Sequence, residues 1–369
     1  MKNNSLTIAG LMSGTSMDGL DCCIAKVAIN KNWDFNYEII ATKSFDFNFN
    51  VRAKICENLG ETQISNIALL DDFMGETFLN LSKDFLSSYK FDAISIHGQT
   101  IHHRDKVKTI QVGNPFYLGS FFKVPVVYNF REKDIDAGGN GAPLMPFLDW
   151  LLFKNSKENV FTINLGGISN LTFIPKGGIR KNVIGFDMGP GMCLSDQYMR
   201  NFFNKKYDDY GRLASKGKVI EKLLDKLMNN EFFYKKPPKS TSVENFSENY
   251  MSEILNEFNE INKFDFLRTL VNFTCRCIEQ NISLYTNLNS NKDKIFLSGG
   301  GSKNITLVND LKEMISPRIE NFNYNGINVD NKEAFLMCLL GYTCVMKIPN
   351  NISSVTGASR ELVCGEIYE

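Results

Sequence analysis

The start of the chain alternates short apolar runs with polar turns. Leu6–Met12 is apolar and ends in a turn of small and polar residues at 13–19, after which residues 21–29 resume as a half-apolar run. Residues 37–45 form a third run of the same kind. Strands separated by tight turns in this order predict an antiparallel β-meander.

A helix and a crossover unit are predicted next. Apolar residues recur at helix spacing across residues 65–87, as expected of an amphipathic helix. Residues 91–97 and 124–129 are apolar runs that end in polar side chains, and a helix-like stretch at 115–122 separates them. Two strands joined through a helix predict a βαβ unit.

The same succession begins again near the middle of the chain. Three strands are predicted at residues 159–165, 170–174 and 182–187, and the turn between the first two contains Gly166 and Gly167. The later elements are, in order, helix 192–203, helix 266–285, strand 294–298, helix 305–315, a strand near Ile319 and helix 331–346. Each half is therefore a meander followed by α/β elements, which predicts a duplicated α/β fold.

One segment stands outside this repeat. Residues 205–264 are richer in Lys, Glu and Asn than their surroundings and contain Pro237 and Pro238. Charge-rich stretches are usually solvated, and a Pro-Pro pair stiffens a turn. We interpret this segment as a surface excursion.

Composition narrows the classes of function. The 369 residues favour two domains, at roughly 150 residues per domain. The 41 basic and 41 acidic side chains cancel, so the overall charge gives no reason to expect binding to nucleic acid or to a membrane surface. The most apolar run, residues 334–346, is shorter than the ~20 residues that span a bilayer. Nine cysteines without a CxxC pair favour the thiols of a cytoplasmic protein over a disulfide framework or a zinc site.

Three glycine turns follow predicted strands, at residues 14–19, at Gly166-Gly167 and at residues 299–301. Glycine lets a backbone approach a phosphate closely and turn its amides toward it. A single turn of this kind is weak evidence, because hairpins use glycine for geometry alone. Three turns in matching places of a duplicated fold predict a nucleotide site. The spacings of P-loop and dinucleotide-binding motifs do not occur.

All three histidines lie within residues 97–103, directly after a predicted strand. A metal cluster is one interpretation, but no neighbouring Cys or pair of acids would complete it. The other interpretation is sugar recognition, since His97, Gln99 and Thr100 offer mixed donors and acceptors for hydroxyl groups.

Two charged residues also follow predicted strands. Arg131 could bind a carboxylate through two parallel hydrogen bonds, or it could be a surface residue or part of a structural ion pair. Asp187 precedes the constrained turn Gly189-Pro190-Gly191. An Asp in that place is either a helix cap or a general base held on rigid backbone. We favour the base because a helix cap alone does not need a turn with two glycines and a proline.

These motifs together resemble the anhydro-N-acetylmuramic acid kinase family, from Ala9 to about Ala358. The resemblance rests on residues 10–19, His97-Gly98-Gln99-Thr100, Asn129-Phe130-Arg131, residues 138–144, residues 164–170 and Leu297-Ser298-Gly299-Gly300-Gly301. It implies the actin-like, sugar-kinase ATPase fold of duplicated ribonuclease H-like domains, in which two lobes clasp ATP. We assign residues 1–130 to the N-terminal lobe and 131–369 to the C-terminal lobe.

The resemblance also implies a role for each candidate residue. The ATP phosphates are expected at one turn of the N-terminal lobe and one of the C-terminal lobe, with the adenosine near a third turn and Mg²⁺ at Asp18. The residues are Gly14, Thr15, Ser16, Met17, Asp18 and Gly19, then Gly166 and Gly167, then Gly299, Gly300 and Gly301. The sugar is expected at His97, Gln99, Thr100, Arg131 and Glu333, with Asp187 as the catalytic base.

The implied reaction opens 1,6-anhydro-N-acetylmuramic acid with water and phosphorylates its 6-oxygen from ATP, for cell wall recycling and amino sugar catabolism. The sequence departs from the family pattern at Met188, Met192 and Asn140, and in the segment Lys239-Ser240-Thr241-Ser242-Val243-Glu244. We expect a cytoplasmic homodimer. The alternatives are a kinase of the same fold for an ordinary hexose, and a nucleotide-dependent switch or filament protein.

Overall fold

The computed structural model describes residues 5–14, 16–286, 292–315 and 317–369. Thr15, one of the residues expected at the phosphates, lies outside these ranges. In chain order the strands are β1 (Leu6–Met12), β2 (Gly19–Ile29), β3 (Phe35–Asp46), β4 (Ala93–Ile96), β5 (Gln99–Arg104), β6 (Lys108–Val112), β7 (Val126–Tyr128), β8 (Val160–Leu165), β9 (Ile168–Ile174), β10 (Ile184–Pro190), β11 (Lys294–Ser298), β12 (Arg318–Asn321), β13 (Asn323–Tyr324), β14 (Ile327–Asn328) and β15 (Glu366–Tyr368).

The α-helices of the described residues account for most of the remaining regular structure. In chain order they are α1 (Phe49–Glu57), α2 (Ile64–Leu86), α3 (Pro115–Phe122), α4 (Glu132–Asp136), α5 (Met145–Phe153), α6 (Cys193–Phe203), α7 (Glu221–Met228), α8 (Glu248–Glu257), α9 (Lys263–Ile282), α10 (Ile305–Met314), α11 (Lys332–Val345) and α12 (Ser353–Thr356). No helix in the described part of the chain is long and apolar enough to cross a membrane.

The chain divides into two compact units. The first contains residues 1–152 and 323–369, and the second contains residues 153–322. This division differs from the expected boundary at residue 130. Residues 131–152 join the first unit because Arg131 binds His97 and Trp150 packs on Trp33. The end of the chain returns to the same unit because α11 packs on β1, β2 and β4 and β15 pairs with β7.

The first unit is built on a six-stranded sheet with the order β15-β7-β4-β1-β2-β3. The strands β1, β2 and β3 form an antiparallel meander, and β4 and β7 continue the sheet parallel to β1. The second unit has a five-stranded sheet with the order β10-β9-β8-β11-β12. There β8, β9 and β10 are antiparallel, and β11 and β12 run parallel to β8. Five strands of each sheet match in order and direction, which confirms the predicted duplication, and β15 is an additional edge strand of the first sheet.

The sheet of the first unit is covered on both faces by helices whose apolar residues follow the predicted pattern. On one face, Leu70, Met74 and Phe78 of α2 are buried in a core with residues of β1, β2 and β4. On the other face, α11 is buried along almost its whole length. A Cβ on Gly10 of β1 would lie 2.4 Å from the carbonyl oxygen of Ala334, so glycine at this position lets α11 lie directly on the sheet.

Some elements differ from the sequence prediction. The hairpin β5–β6 was not predicted, and it carries Gln99 and Thr100 at the start of its first strand. The segment 205–264 is not a featureless excursion, because α7 and α8 bury Leu223, Leu227 and Ile254 in the core of the second unit. Short amphipathic helices in a charge-rich stretch give only a weak periodic signal.

Candidate active site

Ser13 and Gly14, which begin the turn after β1, are held in place by the buried side chain of Gln99. The Ser13 hydroxyl donates to Gln99 Oε1 over 2.6 Å, and Gln99 Nε2 donates to the Gly14 carbonyl oxygen over 3.1 Å. Gln99 Nε2 also donates to the Thr100 carbonyl oxygen. Because Gln99 is fully buried and both ends of its amide bind within the protein, its observed contact is with this turn.

The outer part of the same turn presents polar side chains. Ser16 and Asp18 are exposed. The backbone carbonyl oxygen of Asp18 accepts from the Phe47 amide at 2.9 Å and from Arg52 Nη2 at 3.0 Å, which fixes the residue while its carboxylate faces solvent. Gly19 is required to be small, since a Cβ there would lie 2.1 Å from the Phe45 carbonyl oxygen.

Arg131, which follows β7, is held between an imidazole and a carbonyl group. Its Nε and Nη2 lie 3.2 and 2.8 Å from His97 Nε2, and its Nη1 donates to the Gly141 carbonyl oxygen over 2.8 Å. His97 Nδ1 donates to the Gly98 carbonyl oxygen, so the ring is the neutral tautomer with its lone pair toward Arg131. Burial, followed by the charge of Arg131, lowers the pKa of His97 to about 3. Each terminal nitrogen of Arg131 keeps a second N–H group for another acceptor.

Two further residues expected at the sugar belong to the first unit. Glu333 lies at the start of α11, and a Cβ built on Gly14 would be 3.9 Å from its Oε2 atom. Its side chain reaches solvent, yet the surrounding protein desolvates it enough to raise its pKa. The hydroxyl of half-buried Thr100 accepts from Gln111 Nε2 over 3.2 Å. The first unit thus places Gly14, Gln99 and Glu333 together, and His97 beside Arg131.

In the second unit, the two-glycine turn after β8 binds the turn that precedes α6. The carbonyl oxygens of Gly166 and Gly167 accept from the amides of Met192 and Gly191, each over 2.8 Å. A Cβ on Gly191 would lie 2.3 Å from the Gly166 carbonyl oxygen. The glycine is therefore required by the close approach of the two turns.

The third glycine turn, residues 299–301, packs against the end of β8 and against Met192. Gly299 has a φ of +78°, and a Cβ there would lie 2.6 Å from Asn164 Oδ1. A Cβ on Gly301 would lie 2.9 Å from the Met192 sulfur, whereas one on Gly300 would meet no described atom within 4 Å. The second unit therefore brings its two glycine turns together and leaves the face of Gly300 open. Of the two departures near Asp187, Met192 packs against Gly301 and Met188 is fully buried in the core.

Asp187 lies in β10, three residues before the end of that strand. The register with β9 shifts between Asp187 and Gly189, and a β-bulge of this kind changes the direction of a side chain. The half-buried carboxylate accepts through Oδ2 from the Ser240 hydroxyl and from the Thr241 amide, both at 3.0 Å. The Asp187 amide donates to the Lys239 carbonyl oxygen over 3.3 Å. A segment of three consecutive residues thus holds both the backbone and the carboxylate of Asp187.

Lys239 in turn anchors this segment. Its ammonium group donates to the carbonyl oxygens of Phe232 and Phe233 over 3.0 and 3.3 Å, and it lies over the rings of Phe186 and Phe232. Burial lowers the pKa of Lys239 to about 8, while Asp187 acts in the opposite direction. The residue pattern alone assigned no function to residues 239–241, which were singled out only by the resemblance to a family motif.

The described structure also contains a supporting residue that the sequence did not indicate. Asp134 is buried and accepts from the Gly141 amide over 2.9 Å. Gly141 is the residue whose carbonyl oxygen holds Arg131. In the sequence, only the glycine-rich stretch 138–141 indicated a constrained loop here, and it did not indicate that Asp134 binds this loop.

The two sheets have the strand order and directions of ribonuclease H-like domains. Their duplication, with glycine turns after the first strand of each, defines the class of actin-like, sugar-kinase ATPases. The chain belongs to the anhydro-N-acetylmuramic acid kinase family, whose model matches residues 6–369. The family and the kinase activity predicted from the sequence are thereby confirmed, and the predicted fold class agrees with the two sheets.

Curated relatives match along nearly their whole length. The anhydro-N-acetylmuramic acid kinase of Clostridioides difficile (strain 630) is 33% identical over 371 residues, covering 97% of each chain. That of Caldanaerobacter subterraneus subsp. tengcongensis is 34% identical over 382 residues, covering 98% of this chain and 96% of the relative. Among solved structures, the (R)-2-hydroxyglutaryl-CoA dehydratase component A of Acidaminococcus fermentans is similar with a TM-score of 0.47 and 13% identity, over 93% of this chain and 100% of that one.

Proposed function

We propose that this chain opens 1,6-anhydro-N-acetylmuramic acid with water and transfers the γ-phosphoryl group of ATP to the released 6-oxygen. The product is N-acetylmuramic acid 6-phosphate, formed for cell wall recycling and amino sugar catabolism. The observation that carries the proposal is the Asp187 carboxylate, held by Ser240 and Thr241 at 3.0 Å each in a member of this kinase family. A carboxylate positioned in this way is suited to act as a general base.

The proposed reaction releases one proton, which passes from the attacking water to Asp187 and then to solvent. Water attacks the anomeric carbon, its proton passes to Asp187, and the bond from that carbon to the 6-oxygen breaks. The 6-oxygen forms a bond to the γ-phosphorus, and ADP leaves. Asp187 then releases the proton to solvent. A separate general acid for the leaving oxygen, usual in glycoside hydrolysis, is not required because phosphorus receives that oxygen.

Arg131 is proposed to bind the lactyl carboxylate of the sugar. Its guanidinium is oriented by His97 and Gly141, and each terminal nitrogen retains an N–H group. Paired N–H groups match the two oxygens of a carboxylate. Because both ring nitrogens of His97 are engaged within the protein, we propose that His97 serves the sugar by orienting Arg131. Thr100 and Glu333 remain proposed contacts for sugar hydroxyls.

The nucleotide is proposed to bind at the three glycine turns, with Ser16 and Gly166 to Gly167 near the phosphates and Gly300 near the adenosine. Gly300 supports this assignment, since its face is open among the described residues. Gly19 and Gly301 have close packing neighbours, so we propose that they shape these turns. Gly14 and Gln99 contribute by holding the first turn in place.

Magnesium is proposed to accompany ATP at Asp18. The exposed Asp18 carboxylate is an oxygen ligand of the kind that Mg²⁺ prefers. The described residues contain no group of three His, Cys, Asp or Glu side chains able to hold a metal, which fits an ion bound by one carboxylate together with phosphate oxygens and water. The ion would supply neutralisation of phosphate charge, while Asp18 would orient it.

The decisive experiment follows the oxygen of water. The protein is incubated with the anhydro sugar, ATP and oxygen-18 water, and the product is analysed by mass spectrometry with fragmentation. We expect one oxygen-18 atom at the anomeric carbon and none in the phosphate. Product formed in ordinary water and then moved to oxygen-18 water controls for exchange of the anomeric hydroxyl.

Other outcomes would contradict the proposal. Oxygen-18 in released phosphate, or ADP formation that does not depend on the sugar, would indicate simple ATP hydrolysis. Phosphorylation of an ordinary hexose in preference to the anhydro sugar would indicate a conventional sugar kinase. We also propose a cytoplasmic location, because the reaction consumes ATP. We further propose that the protein is a homodimer, which light scattering of the purified protein would test.

A further inference from the structure

A buried aspartate lies behind the residue proposed to bind the sugar carboxylate. Asp134 in α4 is 2% exposed. Its Oδ2 accepts from the Gly141 amide over 2.9 Å, and its Oδ1 accepts from Asn351 Nδ2 over 2.7 Å and from the Thr356 hydroxyl over 2.8 Å. A buried carboxylate with three donors is fully committed to organising its surroundings.

Gly141 connects this carboxylate to Arg131. The amide of Gly141 binds Asp134, and its carbonyl oxygen accepts from Arg131 Nη1 over 2.8 Å. The backbone of Gly141 has a φ of +71°, a conformation that glycine adopts without strain. The Gly141 amide and carbonyl belong to neighbouring peptide groups joined at its Cα, so a change in the φ or ψ of Gly141 would move the acceptor that fixes one side of the guanidinium.

The loop between Asp134 and Gly141 is shaped around the carboxylate. The Gly139 amide donates to the Asp134 carbonyl oxygen over 2.8 Å. A Cβ on Gly139 would lie 2.2 Å from Asp134 Oδ2, so a larger residue at this position would displace the carboxylate. The observed position of the Asp134 carboxylate therefore requires glycine at 139.

The far side of the network is tied to the C-terminal part of the chain. Asn351 Oδ1 accepts from the Leu362 amide over 2.8 Å, and the Thr356 carbonyl oxygen accepts from the Asn140 amide over 2.8 Å. The donors to Asp134 are thus themselves held in place. Asp134 and Glu333 are also the carboxylates whose charges favour the charged form of Arg131, against the burial that lowers its pKa to about 10.

We propose that Asp134 is a positioning residue for recognition of the substrate carboxylate. It holds the Gly141 carbonyl oxygen, with the help of Thr356 and Asn351, so that Arg131 is fixed between Gly141 and His97 and presents its remaining N–H groups in one direction. The inference rests on the proposed function for the identity of the substrate. Its consequence is that selectivity for an anhydro sugar with a lactyl carboxylate depends on a residue that never touches the sugar.

The test compares two sugars in an Asp134→Asn variant of the full chain. In the variant, an amide replaces the carboxylate that accepts from Gly141, so a donor can face a donor. We expect the preference of kcat/KM for 1,6-anhydro-N-acetylmuramic acid over 1,6-anhydro-N-acetylglucosamine, which lacks the lactyl group, to fall about tenfold to a hundredfold. The KM for ATP should change by less than about threefold, since Arg131 is not assigned to the nucleotide.

A matched control is available on α2. Asp71 accepts from the Gly113 amide over 2.7 Å, the same kind of contact, and its hydrogen bonds among the described residues do not include Arg131, His97 or Gly141. Asp71→Asn should leave the preference between the two sugars unchanged. An equal fall for both sugars in Asp134→Asn, or an unchanged preference, would overturn the proposal.

Should Asp134→Asn fail to fold, Thr356 provides a second test. Thr356→Val removes one donor to Asp134, whereas Thr356→Ser keeps the hydroxyl. We expect the valine variant to lose selectivity and the serine variant to retain it. Equal selectivity in the two would overturn the proposal.

A readout that is independent of the reaction separates the two hypotheses. Hydrogen exchange of the Arg131 Nε–H group, followed by ¹⁵N NMR, should be faster in Asp134→Asn than in the wild type. If the wild type does not act on the muramyl sugar, the proposed function fails, and the exchange rate alone decides the role of Asp134. Faster exchange then supports positioning, and unchanged exchange overturns it.

Discussion

Arg131 in the first unit and Asp187 in the second are held in different ways. Arg131 is fixed by the imidazole of His97 and by a carbonyl group that a 2%-exposed carboxylate organises. Asp187 is held by residues 239–241, of which Ser240 is exposed. A buried support forms part of the core, whereas a surface segment can be altered with little loss of packing. Changes around Arg131 should therefore affect both stability and binding, and changes around Asp187 should affect mainly turnover.

The largest expected effect is at Asp187 itself. Asp187→Asn preserves the shape of the side chain but removes the basic oxygen. Loss of a general base should lower kcat by about 10²–10⁴-fold, with ring opening and ADP formation falling together. The measurement is parallel assay of both products in a folded variant.

The same variant distinguishes the base from a structural cap. Asn and Asp cap helices about equally well, so near-normal turnover by a folded Asp187→Asn protein would leave only the structural role. Its KM for ATP serves as the control and should stay close to that of the wild type.

A smaller effect is expected at Arg131. Arg131→Lys keeps the charge but cannot bind His97, Gly141 and a carboxylate at once, because an ammonium group lacks the planar fork. The KM for the muramyl sugar should rise about tenfold to a hundredfold, and the KM for ATP should change far less. Equal changes for both substrates would contradict the role of Arg131 in binding the carboxylate.

A pH-dependent effect is expected at His97, which lies in the first unit together with the other two histidines, His102 and His103. Burial, together with the charge of Arg131, lowers the pKa of His97 to about 3, whereas an unfolded imidazole titrates near ~6.5. Between these values the unfolded chain binds a proton that the folded chain does not. The contribution of His97 to the free energy of unfolding should therefore fall by about 1.4 kcal/mol for each pH unit below ~6.5 and stay constant above it.

The comparison that isolates this effect is with His97→Asn, which does not titrate. The difference in unfolding midpoint between the wild type and the variant should change below pH ~6.5 and stay constant above it. A difference that does not depend on pH from ~4 to ~8 would show that His97 does not stay neutral in the folded protein.

The sequence predicted the duplicated fold, and it predicted which glycines and charged residues lie at the ends of strands. The apolar runs of the sequence predicted β1, β8 and β11, and the segments that become α3 and α11. The sequence could not predict that Gln99 would face the first turn or that His97 would accept from Arg131. Those contacts depend on the β5–β6 hairpin and on pairings across 34 or more residues, which no local pattern specifies.

The support of Asp187 was missed for a related reason. Residues 239–241 belong to a charged segment, and charge usually indicates a solvated surface. The pairing of Thr241 and Ser240 with Asp187 spans more than fifty residues. The boundary at residue 130 differs from the observed division because the position of α11 on the first sheet is a tertiary contact. The pattern within α11 shows that the helix is buried but not which sheet it covers.

The smallest expected effect is at Ser240, and it tests the comparison most directly. Ser240→Ala removes one of the two donors to Asp187 Oδ2 and leaves the Thr241 amide. A single hydrogen bond to a charged group contributes about 1.5–3 kcal/mol at most, and an exposed one less. We expect kcat to fall about threefold to tenfold, with an unfolding midpoint close to that of the wild type. Ser242→Ala, a change of the same kind two residues further on, serves as the matched control and should leave kcat unchanged. If Ser240→Ala instead lowers the unfolding midpoint and leaves kcat intact, the surface segment supports the fold and not the base, and the distinction between the two units fails.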